Sequence, residues 1–359
     1  MSSTRPKVLL VCNQDVRERY VTQPDLDRLL RFADFDWLET SVAGFNWVSV
    51  SDDPEATARV AAHVGGVEAL LVCHGSPRIS AAVMDAGPKL RFIGELTGDR
   101  FAARIDVEAA AARGIRVVDT TNGSSYPVAE WALAMMLIAL RNAGEHFRHL
   151  VGPDTYVRPK DDLGYLRGEL TGKKVGLVGC GVIGRRLLEL LAPFRCDVRV
   201  CDPYIPKEIA DVFGFLLTSL DYVLSESDVV VCLAPLTPRT RRMIGKHELD
   251  LIRPGAALVN VSRGAIIDPD ALVERLQRGD MTGAFDVFDP EPVPAGHPIR
   301  QLPNVFLSPH IAGVSAANAP RFFKLMVDEL DRFFHGHETL YDLSPRTLAN
   351  RRGEPWPRG

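Results

Sequence analysis

The sequence predicts an α/β protein of two parallel-sheet domains, and three observations carry that prediction. Residues 174–202, KVGLVGCGVIGRRLLELLAPFRCDVRVCD, read as a strand, a glycine turn, a helix and a second strand ending in an acid. Apolar runs of strand length alternate with helical stretches before and after this segment, the pattern of parallel strands with helices on both faces. At 359 residues the chain also has room for two full cores.

In chain order, Lys7 to Cys12 reads as a strand, Pro54 to His63 as a helix, and Ala69 to Cys73 and Leu90 to Gly94 as further strands. Asp106 caps an alanine-rich helix that Gly114 stops, and Ile115 to Val118 follows as a strand. This first unit has no phosphate-binding glycine turn. A turn at Asn122 to Ser125 leads into PVAEWALAMMLIALRN, with Pro127 expected at the first helical position. That apolar helix reads as a bridge into the next domain or simply as a buried core helix, and the two are compatible. Residues 145 to 170 read as a polar surface connection.

Val175 to Val178 then runs into Gly179, Gly181 and Gly184, a GxGxxG that opens a helix through Leu191. The first glycine turns the chain, the second lets backbone approach a pyrophosphate, and the third packs helix on strand. Free N–H groups and the positive dipole end at the helix start suit phosphates. Asp202 falls 18 residues after Gly184, where an acid bonds the ribose hydroxyls of NAD rather than NADP, although Asp before Pro203 also starts turns. A plain glycine turn is the alternative, opposed by the agreement of strand, helix, second strand and acid. Val229 to Leu233, Ala257 to Asn260 and Thr282 to Asp286 are the next strands, and Val305 to Leu307 the sixth. Asp268 and Pro269 start a helix that Gly279 stops. Ala316 to Phe334 reads as an amphipathic helix packing back on the first domain. The expected organisation is therefore a Rossmann-type NAD-binding domain over 126–310 and a smaller, flavodoxin-like, discontinuous substrate domain over 1–125 and 311–345. A disordered tail is expected over 346–359.

Composition narrows the class further. Charged residues make 25% of the chain and hydrophobic ones 46%, and net charge is −4 without a basic stripe, which argues against a nucleic-acid partner. Six cysteines with no CxxC pair read as reduced thiols of a cytoplasmic protein rather than as disulfides or a metal site. No apolar signal core opens the chain, and the longest apolar run, Trp131 to Leu140, reads as too short to cross a bilayer, so no membrane role is expected.

Three segments near strand ends carry chemically capable side chains: VNVSRG (259–264), AFDVFDPEP (284–292) and LSPHIAG (307–313). Ligands of doubly wound sheets sit at the carboxyl ends of the strands, so a nicotinamide would point toward these loops. Its chemistry needs a proton donor for a nascent alkoxide and a cation for a carboxylate, and His310 and Arg263 suit those tasks. A carboxylate beside an imidazole holds its tautomer and favours its protonated form, and Glu291 is the candidate partner. Taken singly each has a plainer reading: Arg263 as a strand cap, Glu291 as a solvated acid, His310 as a backbone-bonding histidine.

The set GCGVIG, CDPY, APLTPRTRRMI, LVNVSRGAIID, AFDVFDPEP and LSPHIAG resembles the NAD-dependent D-isomer-specific 2-hydroxyacid dehydrogenases over roughly residues 69–335. The resemblance implies reversible reduction of a 2-keto acid by NADH. It implies that Arg263 binds the substrate carboxylate and carbonyl, that His310 is the acid/base, and that Glu291 tunes it. For the cofactor it implies Val182 and Ile183 on the pyrophosphate, Asp202 on the ribose, and Ala234, Pro235 and Thr240 beside the adenosine. Val261 and Ser262 would flank the nicotinamide, Asp286 would meet its carboxamide, and Gly313 would close the loop after His310. A homodimer through the nucleotide domains is implied as well.

The chain departs from the family pattern around the substrate. The loop after Leu90 to Gly94 reads ELTGDRFAARID, about two residues longer than the family's glycine-rich loop, with Thr97 and Gly98 the best matches to its substrate-binding amides. His74 occupies the place of a second substrate loop, with a lone surface histidine as the alternative. Tyr126 and Pro127 replace small residues, and Tyr126 either lines a pocket or packs between domains. Glutamate at 291 disfavours a formate-dehydrogenase activity, where the resemblance places glutamine. A nucleotide-sensing scaffold resembling the C-terminal-binding-protein corepressors shares the same triad and is the competing reading from a different class.

Overall fold

The computed structural model describes residues 5–40, 53–97 and 103–354, apart from the side chains of Leu166 and Arg167. The chain divides into two compact units, one of Met1–Ser124 with Ser315–Gly359 and one of Ser125–Val314. The return to the first unit thus begins at Ser315 rather than at 311.

The first unit holds a five-stranded parallel sheet of β1 (Lys7–Cys12), β2 (Asp34–Glu39), β3 (Ala69–Val72), β4 (Phe92–Glu95) and β5 (Arg116–Asp119). Their order is β2-β1-β3-β4-β5, the flavodoxin-like arrangement. Strand β2 and the helices Gln14–Tyr20 and Gln23–Leu29 are additions to the sequence expectation. The return helix, Ala319–Phe334, buries Phe322, Phe323, Met326, Val327 and Leu330 with Val8, Leu10 and Phe92 of the sheet.

The tail departs from expectation. Pro345–Arg352 is a helix with a reciprocal Ser344/Thr347 cap, and it buries Leu348 and Ala349 while Arg351 pairs with Asp119 over 3.2 Å. Cap, apolar anchors and ion pair together order a segment whose composition alone suggested disorder.

The second unit holds seven parallel strands: β6 (Lys174–Val178), β7 (Asp197–Cys201), β8 (Leu216–Leu217), β9 (Val229–Cys232), β10 (Ala257–Asn260), β11 (Thr282–Phe285) and β12 (Val305–Leu307). The order β12-β11-β10-β9-β6-β7-β8 is that of the dinucleotide-binding sheet with one strand added, and it reverses direction between β6 and β9. The two-residue β8, exposed at the edge, makes seven strands where six are expected.

The helix Ser125–Leu140 starts two residues before Pro127, so that proline is not its first residue. With the preceding 3-10 turn, Thr121–Leu140 forms 20 helical residues, long and apolar enough to cross a membrane by length and composition, contrary to the reading of Trp131 to Leu140 as too short. Its Val128, Ala129, Ala132, Met135, Met136 and Ala139 pack into the core of this unit with Val175, Val231 and Val259, which accounts for the apolarity. Within 145–170, Ala143–Leu150 and Leu163–Arg167 are helical.

Candidate active site

The crevice of a doubly wound sheet opens where strand order reverses, here between the loops that leave β6 and β9. Gly179 ends β6 at φ +90°, and a Cβ there would sit 2.7 Å from the backbone nitrogen of Ala234 in the loop after β9. Gly184 packs its helix onto the turn, with a Cβ placed 3.2 Å from the Cys180 sulfur. Gly181 starts the helix Val182–Leu191 in extended conformation with no side-chain cap, so the N–H groups of Val182, Ile183 and Gly184 face outward for an anion. These residues fit a dinucleotide pyrophosphate. Asp202 is pinned at the end of β7, accepting Cys180 N–H at 2.8 Å and Tyr204 N–H at 2.9 Å. It is thus both a turn former and an acid held against the glycine turn.

Across the crevice, Thr240 accepts Thr237 N–H at 2.7 Å and donates to the Pro235 carbonyl at 2.6 Å, which closes the loop after Ala234. Ser262 donates to the Ala234 carbonyl, tying the loops after β9 and β10 together, and Val261 is buried beneath. Asn260 sets this second loop. Its side chain accepts Ser262 N–H at 3.0 Å and donates to the Arg263 carbonyl at 3.1 Å, a role that no pattern in the sequence singles out.

The three candidate chemical groups follow three neighbouring strands. Arg263 follows β10 and is exposed, Glu291 follows β11, and His310 follows β12. His310 Nδ1 lies 2.7 Å from Glu291 Oε1, with the imidazole 45% exposed. Gly264 packs so closely on the Phe288 backbone that a Cβ would fall 1.9 Å from its carbonyl carbon, which locks the Arg263 loop to the Glu291 loop. His310 adopts φ +54°, an uncommon conformation for a residue with a side chain. Its N–H bonds the Asp286 carbonyl at 2.8 Å, and the buried Asp286 carboxylate accepts Ile311 and Ala312 N–H groups at 3.0 and 2.9 Å. Gly313 lies half-buried in the turn that follows. Tyr126 stacks under the Arg186 guanidinium, 4.4 Å from its ring centre.

The remaining candidates belong to the first unit. His74 is not a surface residue; it is 4% exposed, with Nδ1 3.1 Å from Arg104 Nη2. Burial first, and the Arg104 charge second, lower its pKa to about 4. Arginine only donates, so His74 is neutral, accepts through Nδ1 and carries its proton on Nε2. Arg104 also pairs with the buried Glu95 and donates to the Thr97 carbonyl at 3.1 Å. Gly98 lies outside the described residues. No group of three potential metal-ligating side chains occurs among the described residues.

Residues 133–312 match the family described as D-isomer specific 2-hydroxyacid dehydrogenase, NAD binding domain. The chain belongs to this family. It is an NAD-dependent enzyme, and its relatives span several substrates. It is 33% identical over 309 residues to mitochondrial formate dehydrogenase of Hordeum vulgare, covering 84% of this chain and 80% of the relative. It is 35% identical to D-3-phosphoglycerate dehydrogenase of Methanocaldococcus jannaschii over 72% of this chain but 48% of that relative, and 33% identical to glyoxylate reductase of Korarchaeum cryptofilum over 72% and 77%. The NAD-complexed D-isomer specific 2-hydroxyacid dehydrogenase of Lactobacillus delbrueckii ssp. bulgaricus shares the fold, with a TM-score of 0.73 at 19% identity over 94% of this chain and all of that one.

Proposed function

We propose that the enzyme reduces the C2 carbonyl of a small 2-keto acid, as a glyoxylate or hydroxypyruvate reductase or as a phosphoglycerate dehydrogenase-like enzyme. The observation that carries this reading is the 2.7 Å contact between His310 Nδ1 and Glu291, on loops adjoining that of Arg263. Bound NADH supplies the hydride. Arg263, exposed at its strand end, pairs with the substrate carboxylate and draws electron density from the carbonyl. Nδ1–H of His310 donates a hydrogen bond to Glu291, which favours the doubly protonated ring; Nε2–H then protonates the oxygen as the alkoxide forms, leaving the neutral imidazole with its proton on Nδ1. The assignment of Val182, Ile183, Asp202, Ala234, Pro235, Thr240, Val261, Ser262, Asp286 and Gly313 to the cofactor, and of Thr97, Gly98 and His74 to substrate, belongs to the same proposal. For His74, the contact with Arg104 supports an anchoring role.

Similarity to formate dehydrogenases raises a second reading. Oxidising formate to carbon dioxide moves a hydride and no proton, so a carboxylate–imidazole pair has nothing to transfer there. NADH oxidation with glyoxylate, hydroxypyruvate, pyruvate and bulkier keto acids, beside NAD reduction by formate, decides between them. Keto-acid turnover is expected; turnover of formate alone overturns the reading. His310→Ala is expected to lower kcat by roughly 100-fold or more while NADH affinity stays within about twofold. An unchanged rate would reassign the acid.

The enzyme is further proposed to be a cytoplasmic homodimer. Phe147, Leu150 and Val151 are exposed and share one side of the helix Ala143–Leu150 and its C-terminal end, an apolar stripe suited to a second copy. Burial raises the Cys73, Cys180 and Cys232 thiols to about 12, which suits inert thiols in a reducing compartment.

A further inference from the structure

Behind the His310 loop runs a hydrogen-bond chain that brings in two residues, Trp131 and Ser308, which the proposed chemistry does not use. Trp131, in the helix Ser125–Leu140, donates its indole N–H to Ser308 Oγ over 3.2 Å. Indole offers no acceptor, so the one Ser308 proton points the other way, to Asp286 Oδ1. Asp286 has no exposed surface. Its carboxylate receives Ile311 and Ala312 N–H groups, and its carbonyl receives that of His310. One buried acidic residue therefore receives four hydrogen bonds from residues 308–312, three at its carboxylate and one at its carbonyl. Within that stretch His310 keeps φ +54°, a conformation that persists in a non-glycine residue when its surroundings over-determine it. Beyond the backbone, the half-exposed ring is held by Glu291.

We infer that Trp131 and Ser308 are positioning residues for His310. The indole orients the serine hydroxyl, and the hydroxyl fixes the Asp286 carboxylate. The carboxylate fixes the backbone at 311–312 while the Asp286 carbonyl holds the His310 N–H, and that backbone presents Nδ1 of His310 to Glu291 and leaves Nε2 for the substrate. Without the hydroxyl, Asp286 loses a donor and the indole N–H loses its acceptor, so the carboxylate can turn toward the indole and release the loop. This inference rests on the acid/base role proposed for His310. Neither Trp131 nor Ser308 touches substrate in it.

The test compares full-length Ser308→Ala, Ser308→Thr and Trp131→Phe with the parent enzyme. Ser308→Ala is expected to lower kcat for keto-acid reduction at saturating NADH about 10-fold, and Trp131→Phe about threefold, with the KM for the keto acid within about twofold. Ser308→Thr keeps the hydroxyl and is expected to retain at least about half of kcat. Long-range proton–nitrogen spectra, with the His310 signals identified by their loss in His310→Gln, should show the Nδ1–H form in the parent and a mixture of ring forms in Ser308→Ala. Unchanged kcat in Ser308→Ala overturns the inference, and so does a loss of kcat with the His310 ring form unchanged. Trp131→Phe preserves the packing on Phe306, whose ring centre lies 6.5 Å away, and carries the same comparison if Ser308→Ala does not fold. If the parent enzyme reduces no keto acid, the proposed function fails, while the ring spectra still decide the positioning claim.

Discussion

A methyl group at Gly264 would overlap the Phe288 carbonyl, because two backbones there touch without room for a side chain. Neither loop can yield without moving Arg263 or Glu291. Gly264→Ala is therefore expected to cost about 1–3 kcal/mol or more in a urea titration and to lower turnover more than stability alone explains. A variant of unchanged midpoint and unchanged kcat would show that the loops separate freely. His74 gives a pH signature of a different kind. Its folded pKa of about 4 lies below the ordinary 6.5, so between those values the unfolded chain binds the extra proton. Stability then rises with pH across that window, and falls by an amount on the order of 3 kcal/mol from pH 7 to below pH 4. Urea midpoints measured from pH 7 to pH 4 should fall more steeply for the parent than for His74→Asn, which cannot titrate; parallel slopes would mean His74 titrates normally.

At the level of elements, the glycine turn depends on one backbone angle and one close approach. Gly179→Ala demands φ +90° of a residue with a Cβ and drives that Cβ into Ala234, so NADH affinity is expected to fall by about 10-fold or more in a fluorescence titration while secondary structure persists. Retained affinity would remove the turn from the cofactor site. This turn was legible in sequence because each glycine answers a local requirement, and Arg263, Glu291 and His310 stood out as candidates because each follows a strand end. Elements and partners that depend on distant chain were not. Strand β2, DFDWLE, buries only Leu38 and alternates only over Asp34 to Trp37 before breaking register at Leu38, too short a pattern to read, and it lies at a sheet edge. Arg104 comes 30 residues after His74, so nothing near the histidine announced that it would be buried. Asn260 and Ser308 act through hydrogen bonds whose partners are set by the fold, and such bonds leave no periodicity to read. The helix Pro345–Arg352 is held by a cap, two buried residues and one ion pair with Asp119, none visible in its composition.

For the whole molecule, the decisive fact is that the first unit is discontinuous while the second is one uninterrupted stretch. The sheet of the first unit needs the return helix. Met326 approaches Gly94 so closely that a Cβ there would lie 2.5 Å from it, and the Phe322 ring sits 2.6 Å from a Cβ built on Gly123. Each large apolar side chain buried stabilises by about 1.5–3 kcal/mol, so Phe322, Phe323, Met326, Val327 and Leu330 together rival the roughly 5–15 kcal/mol of a whole domain. A fragment of residues 1–124 should therefore show no cooperative unfolding transition. A fragment of residues 125–314 contains its complete sheet, the helix Ser125–Leu140 and the glycine turn. It is expected to unfold cooperatively and to bind NADH. Circular dichroism in urea and NADH fluorescence on the two fragments check both halves of this claim. A cooperative transition in the 1–124 fragment would mean that the return helix is dispensable, and an unfolded 125–314 fragment would mean that the nucleotide unit draws its stability from the other one.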